Sequence, residues 1–309
     1  MKQTLAIILL FIVAIISFGC SSSDKETKTD DKLTIYTSIY PIQYAVERIG
    51  ADTVTVKSVY PPGVDAHTYE PTSKEMTDIA KSNAFIYLGA GMEGFAETAA
   101  DALMSQDTKL VELGKDEKLF HTDNTHKHAH DGHAHGDRDP HIWIDPIRMI
   151  DMSQQIKDNL IELDPENETL YNENFTQLEK DLLVLDEQYN ATLGPKENKK
   201  ILVSHAAFGY WEESYGVEQI AINGLSSSNE PSQKELTKII DQAKKYDLDY
   251  IIFEQNSSNR VSEIIQEHLD VKPLTIHNLS VLTEEDIANG EDYLSLMEYN
   301  LDILDQATK

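Results

Sequence analysis

Six of the chain's eleven histidines fall within fifteen residues, at His121, His126, His128, His130, His133 and His135, and a seventh, His141, follows in a different setting. Neutral imidazole is a good ligand for borderline divalent metals such as zinc, so metal binding is the first chemistry to consider. In "HTDNTHKHAHDGHAHGDR" the five from His126 to His135 are interleaved with Lys, Asp, Ala and Gly, and the stretch holds no apolar residue larger than alanine. Such a stretch cannot pack into a core. Residues 121–138 therefore read as a mobile surface loop offering many overlapping weak metal sites, without the rigidity that one precise site needs.

His141 sits in "DPHIWIDP", between two prolines and ahead of Ile142, Trp143 and Ile144, so its backbone belongs at the edge of a packed region. Two further histidines share that character. His67 follows the turn-rich "PPGVDA" and precedes "YEPT"; His205 comes just after the apolar run "ILVS" and before "AAFGYW". Each lies where an element begins or ends, which in open α/β sheets is where ligands bind. Taken singly, a histidine of this kind is more often structural than a ligand. The three have no zinc-finger spacing, so spacing alone does not unite them. His268 and His277 read as surface or partly buried histidines.

The elements that must position these residues are of mixed α/β type. Short β-rich runs at 33–38, 54–60 and 84–89 alternate with helical stretches beginning near Pro41 and Pro71, and the same texture returns at 200–204, 217–222 and 249–254. The return is also literal. "YEPTSKEMT" from Tyr69 matches "NEPSQKELT" from Asn229, and Tyr44 and Gly50 align with Tyr210 and Gly216. The pattern predicts two related lobes, over 33–163 and 195–309. Between them, after Asp164-Pro165, apolar or aromatic residues at Tyr171, Phe175, Leu178, Leu182, Leu185 and Tyr189 form one helical stripe. A helix over 165–193, within a linking segment 164–194, would be roughly 43 Å long at ~1.5 Å per residue, enough to run beside both lobes.

The ends and the charge add context. Leu5–Ile16 is an apolar run too short to span a bilayer comfortably but suited to a secretory signal, giving a signal peptide over 1–19. "SFGC" then resembles a lipoprotein processing site at which Cys20, the only cysteine, carries the lipid. Residues 20–32 would be the anchor and its flexible tether. The formal charge of -28 leaves no electrostatic footprint for nucleic acid and leans toward cationic partners.

"GVDAHTYEPT", "DPHIWIDP", "VSHAAFGYW" and "LTEEDIANGEDYLSLMEYNLDIL" together resemble the metal-binding receptor lipoproteins of ABC importers, specifically the zinc receptors of the ZnuA/AdcA type. The resemblance covers residues 33–309. It implies two α/β lobes joined by one long helix, with a single metal in the interlobe cleft held by His67 and His141 from the first lobe and His205 from the second. It also implies Zn2+ as the transported substrate, a membrane permease with its ATPase as partners, attachment to the outer face of a bacterial membrane, and a monomer. Manganese receptors of the superfamily usually carry glutamate where His205 stands, so imidazole there favours zinc. One departure concerns the fourth ligand: many close relatives have glutamate at the position of Ser280, and serine is a poor zinc ligand. Water is the preferred occupant, with a loop histidine, His277 or Glu254 as alternatives. An outer carboxylate is expected to balance the charge, with Glu230 as candidate.

Three histidines plus water is also the ligand set of catalytic zinc, but no H-E-x-x-H or H-x-E signature supplies a base beside a ligand. An enzyme is therefore not expected. A manganese receptor and a surface zinc reservoir or adhesin are the remaining alternatives. The division of labour between loop and cleft makes a prediction: deletion of 122–135 should leave one tight zinc site and remove the additional weak stoichiometry. Calorimetric titration measures both, and loss of the tight site would contradict it.

Overall fold

Among the described residues eight short strands make two sheets of four, with order β2-β1-β3-β4 in the first and β6-β5-β7-β8 in the second, all neighbours parallel. The computed structural model describes residues 32–120, 138–226, 231–256 and 260–309, and residues 32–309 form one compact unit. The first sheet comprises β1 (Leu33–Thr37), β2 (Val54–Ser58), β3 (Ala84–Tyr87) and β4 (Lys109–Glu112). The second comprises β5 (Lys200–Val203), β6 (Glu218–Ala221), β7 (Tyr250–Glu254) and β8 (Lys272–Ile276). Parallel neighbours require crossover connections, and most of these are helices. They are α1 (Tyr40–Gly50), α2 (Ser73–Ile79) and α3 (Ala96–Leu103) in the first lobe, and α6 (Gly209–Tyr215), α7 (Gln233–Lys245) and α8 (Arg260–Leu269) in the second. Of two longer helices, α4 (Pro146–Leu163) ends the first lobe and α5 (Glu168–Leu193) connects it to the second; α9 (Glu284–Asn289) and α10 (Tyr293–Ala307) close the chain.

Sheet order locates the place where a ligand belongs. In each lobe the chain leaves the first strand toward one edge and returns to the other side of it, so a switch point opens beyond the carboxyl ends of β1 and β3, and of β5 and β7. The strands predicted from pattern are present, and β4 and β8 are additional. β8, "KPLTI", is largely exposed and contains a proline, which an edge strand tolerates.

The matched segments occupy equivalent places. Thr72 and Ser232 are the N-caps of α2 and α7, each in a reciprocal capping box with the glutamate three residues on, Glu75 and Glu235. Both helices follow the second strand of their lobe. Tyr44 and Tyr210 lie on the helix after the first strand, and Gly50 and Gly216 lie where that helix ends. The shared Thr/Ser-x-x-Glu is thus a helix-start signal used at the same point of two copies of one topology.

The interlobe helix starts later than its pattern suggests. Pro165–Asn167 form a single 3-10 turn, and α5 begins at Glu168, giving 26 residues, about 39 Å at ~1.5 Å per residue. Asp164 causes the break. Its backbone is not helical (φ -144°, ψ 78°), and its Oδ2 accepts from Asn167 Nδ2 at 2.6 Å and from the Tyr171 hydroxyl at 2.9 Å, so its side chain serves the turn. The stripe Tyr171, Phe175, Leu178, Leu182, Leu185 and Tyr189 is entirely buried and packs on α1 and α4 from the first lobe and on α6 and α10 from the second. One hydrophobic core runs through both lobes by way of this helix, and only a small satellite core, around Leu202, Ile239 and Ile251, covers the other face of the second sheet. Lobes that share a core in this way have little freedom to hinge.

Among the described residues no helix is long and apolar enough to cross a membrane. Cys20, the loop histidines at 121–135 and Glu230 lie outside the described residues.

Leu182 is fully buried in the shared stripe. Leu182→Ala should cost about 2–5 kcal/mol, measured by urea unfolding in the presence of chelator, and should shift one cooperative transition. Two transitions, with only one displaced, would show that the lobes fold independently.

Candidate metal site

His67, His141 and His205 come together. One nitrogen from each ring lies within 4.8 Å of the others, and the ring centroids are separated by 5.3 Å (67–141), 5.4 Å (67–205) and 5.0 Å (141–205). His141 and His205 are buried and His67 half-buried. Among the described residues this is the one group of three or more His, Cys, Asp or Glu side chains with such convergence.

Each ring is positioned by a different device. His67 stands in the loop after β2, where its backbone N–H donates to Asp65 Oδ1 at 2.8 Å. Gly63, at φ +74°, lets that loop turn, and its N–H donates to the Leu282 carbonyl at 2.9 Å. Asn256 Nδ2 holds the Val64 carbonyl at 3.0 Å, so the second lobe helps to shape the first lobe's ligand loop. His141 is held by Asp139, whose Oδ1 accepts from both the His141 backbone N–H at 3.0 Å and ring Nδ1 at 2.7 Å. A Cβ at Gly209 would stand 2.7 Å from Asp139 Oδ2, so glycine is what allows α6 to approach this carboxylate. His205 follows β5 directly at the switch point, and its Nδ1 is 2.6 Å from Oε1 of Glu254, the last residue of β7.

With Nδ1 of His141 and His205 on carboxylates, Nε2 is the nitrogen of each ring that meets no carboxylate. His67 Nε2 lies 3.3 Å from His141 Nε2. His205 Nε2 donates to the Leu225 carbonyl at 2.8 Å, so both nitrogens of this ring have acceptors and it is held as the imidazolium. Burial opposes that charge, but the Glu254 carboxylate outweighs it and His205 is pushed up to about 9. His67 goes the other way: burial first, then the neighbouring imidazoles of His141 and His205, lower it to about 4. Burial would raise Glu254, yet the His205 charge and the hydrogen bonds from His205 and Asn278 keep its pKa below the usual carboxylate value.

The described candidates for a fourth ligand each have hydrogen-bond partners of their own. Glu254 is behind His205, with Oε1 on the imidazole and Oε2 accepting from Asn278 Nδ2 at 2.5 Å. Its carboxylate stands on the Nδ1 side of the His205 ring, as that of Asp139 does for His141. His277 accepts from the Leu279 N–H at Nδ1 (2.9 Å) and reaches Asp286 Oδ2 from Nε2 (3.0 Å), which makes it a buried staple between β8 and α9. Ser280 donates its hydroxyl to Asn278 Oδ1 at 2.8 Å. His268 is exposed on α8. Asp139 and Asn278 were not singled out from sequence; the Asp-Pro-His spacing was a usable signal for the first, whereas nothing local marks the second.

The segment around His141 also locks the lobes together. Trp143 Nε1 donates to the Asn278 carbonyl at 2.8 Å, and its own carbonyl accepts from the Tyr293 hydroxyl at 2.6 Å. Trp211 Nε1 donates to the Ile144 carbonyl at 2.8 Å, Tyr210 donates to the Asp139 carbonyl at 2.7 Å, and the Ser214 hydroxyl donates to Asp145. Arg148, buried beside Asp145, reaches Glu213 at 2.5 Å.

Comparison with known proteins agrees with this architecture. The chain is 32% identical over 310 residues to the zinc-binding lipoprotein AdcA of Streptococcus pneumoniae, covering 99% of this chain but spanning only 61% of that relative's length. It is 29% identical to the high-affinity zinc uptake system protein ZnuA of Bacillus subtilis, covering 96% of this chain and 95% of that one. Its fold matches the solved structure of the Zn(II)-bound ZnuA-like domain of Streptococcus pneumoniae AdcA with a TM-score of 0.73 at 31% identity, over 90% of this chain and 99% of the other. Across residues 35–307, nearly the whole described fold, the chain belongs to the ZnuA family, the zinc-uptake complex component A, periplasmic.

Proposed function

We propose that this chain is an extracytoplasmic receptor that captures Zn2+ between its lobes and delivers it to an ABC permease driven by a cytoplasmic ATPase. The observation that carries the reading is the triangle of imidazole nitrogens within 4.8 Å, drawn from both lobes, with a carboxylate behind two of the three rings. His67, His141 and His205 are the ligands. Neutral nitrogen donors suit zinc and are poor for the harder manganese ion, which prefers oxygen. Asp139 and Glu254 together carry two negative charges against the ion's two positive ones, so water suffices in the fourth position. The carboxylate–imidazole pairs also fix the ligand tautomer and orientation, as is usual at zinc sites.

The membership of the family and the names of its relatives support import over the alternatives. A receptor must release its ion, so one exchangeable position suits the task. Both carboxylates beside the triangle are engaged on ligand imidazoles, which leaves neither in the role of a general base for a hydrolytic reaction. Signal processing at Cys20 and lipid anchoring complete the reading, placing a monomeric receptor at the outer face of the cytoplasmic membrane, where the histidine-rich loop gathers zinc for the cleft.

Titration of metal-stripped protein with zinc should show one tight site, with manganese far weaker. His205→Ala should weaken that site by more than about 100-fold, because even outer partners of zinc ligands are worth roughly 10–100-fold. Several weak equivalent sites, unchanged by the substitution, would overturn the receptor reading. A second expectation concerns protons. His205 is raised to about 9, so in the metal-free protein it is charged at pH 7.5 and must lose its proton to bind zinc, whereas His67, lowered to about 4, is already neutral. Zinc affinity should therefore rise with pH up to about 9 and level off above it. Calorimetry at pH 7.5 in buffers of different ionisation enthalpy should report a proton released from His205, and this contribution should vanish in His205→Ala.

A further inference from the structure

Behind His205 lies a second layer of hydrogen bonds that no ligand role accounts for, and its centre is Asn278, a buried residue just beyond β8. Its Oδ1 accepts three donors: Ser280 N–H at 3.0 Å, the Ser280 hydroxyl at 2.8 Å and Gln255 Nε2 at 3.1 Å. Three donors on the oxygen settle which way the amide faces, so Nδ2 must point in the opposite direction. There it donates to Glu254 Oε2 at 2.5 Å, the oxygen that His205 does not use. The main chain of the same residue works toward the other lobe. The Asn278 carbonyl takes the indole N–H of Trp143, two residues from His141, at 2.8 Å, while its N–H donates to Gln255 Oε1 at 3.0 Å.

Resting on the zinc reading above, we infer that Asn278 is the positioning residue of the site, with Ser280 as its orienter. Its amide fixes the Glu254 carboxylate that aims His205, and its carbonyl fixes the Trp143 segment that carries His141. One residue thereby sets the second-lobe ligand and a first-lobe ligand relative to each other. The small side chain at Ser280 is part of the device: its hydroxyl lies 2.8 Å from Asn278 Oδ1 and serves the amide, not the ion.

The arrangement is directional, and that makes it testable. Asn278→Asp replaces a donor facing Glu254 by a carboxylate oxygen, turning an attraction into a repulsion. Glu254→Gln places two amide N–H groups face to face, because Asn278 cannot flip without abandoning its three donors. In the combined Glu254→Gln/Asn278→Asp protein the carboxylate has moved one step outward: the amide introduced at position 254 still accepts from His205 Nδ1 through its oxygen, and its NH2 group donates to the carboxylate introduced at position 278. Zinc affinity should fall roughly 10–100-fold in each single variant, as for outer partners of zinc ligands, and recover at least about tenfold from the Asn278→Asp value in the double variant. The 15N and 1H signals of the His205 ring Nδ1–H in the zinc-loaded protein should move in the single variants and return toward their original position in the double one. A merely structural role would change the thermal midpoint in chelator without this reciprocal recovery.

Ser280→Ala keeps the test open should Asn278→Asp fail to fold. It removes one of the three donors, and zinc binding should weaken roughly 2- to 10-fold, the worth of one neutral hydrogen bond. Single variants within twofold of the original protein, or a double variant no better than Asn278→Asp, would overturn the inference while leaving the receptor reading intact. Absence of a tight zinc site in the unsubstituted protein would instead overturn the receptor reading itself.

Discussion

The buried ion pair between His205 and Glu254 is the interaction on which the arrangement of the cleft turns. A carboxylate enclosed at the end of β7 is costly unless a cation and hydrogen-bond donors compensate it, and the imidazolium at the end of β5 with the amide of Asn278 supplies both. The pair in turn dictates how His205 faces. With Nδ1 committed to Glu254, Nε2 points toward the place where the imidazoles of His67 and His141 converge. That nitrogen also meets a main-chain carbonyl, so the charge of the ring is satisfied within the protein. A neutral and a charged imidazole thus share one cleft, because burial among like rings lowers His67 while a carboxylate raises His205.

Holding three rings from two lobes in one triangle requires the lobes themselves to be held. Here the short segment 139–146 does much of that work, because its carbonyls and side chains are taken up by Tyr210, Trp211, Ser214, Asn278 and Tyr293. Every one of those partners belongs to the second lobe. The long helix α5 adds a continuous apolar face shared by both, and the result is a cleft whose walls have little hinge freedom. The three imidazoles are preorganised in such a molecule: the cost of ordering them is met when the chain folds.

Periodicity and local signals made a large part of this legible from the chain alone. The matched segments from Tyr69 and Asn229, the alternation of short apolar strands with helices, and the stripe from Tyr171 to Tyr189 depend on neighbours a few residues apart, which is why they can be read without coordinates. His67, His141 and His205 could each be recognised as sitting at an element end, yet their union came from resemblance to a family, since residues 64 to 138 positions apart carry no mutual spacing signal. The start of α5 was misplaced because a proline after aspartate looks like a helix opening, whereas the Asp164 side chain is spent on closing a 3-10 turn. Likewise Glu254 appeared as a possible ligand, since its sequence position reveals a strand end but not which side of an imidazole it faces.

The chain by itself determined the element types, the doubled topology and the placing of three histidines at element ends, because propensity, patterning and residue chemistry act over a few residues. Tertiary structure alone decided which nitrogen of His141 and of His205 meets a carboxylate, that Asp139 and Glu254 are those carboxylates, and that Ser280 serves Asn278. Those outcomes depend on sheet order, which brings the end of β5 against the end of β7, and on the closure of one lobe over the other, which brings Trp143 onto the carbonyl of Asn278. Hydrogen bonds between residues far apart in the chain are selected by that geometry, and a linear pattern holds no record of it.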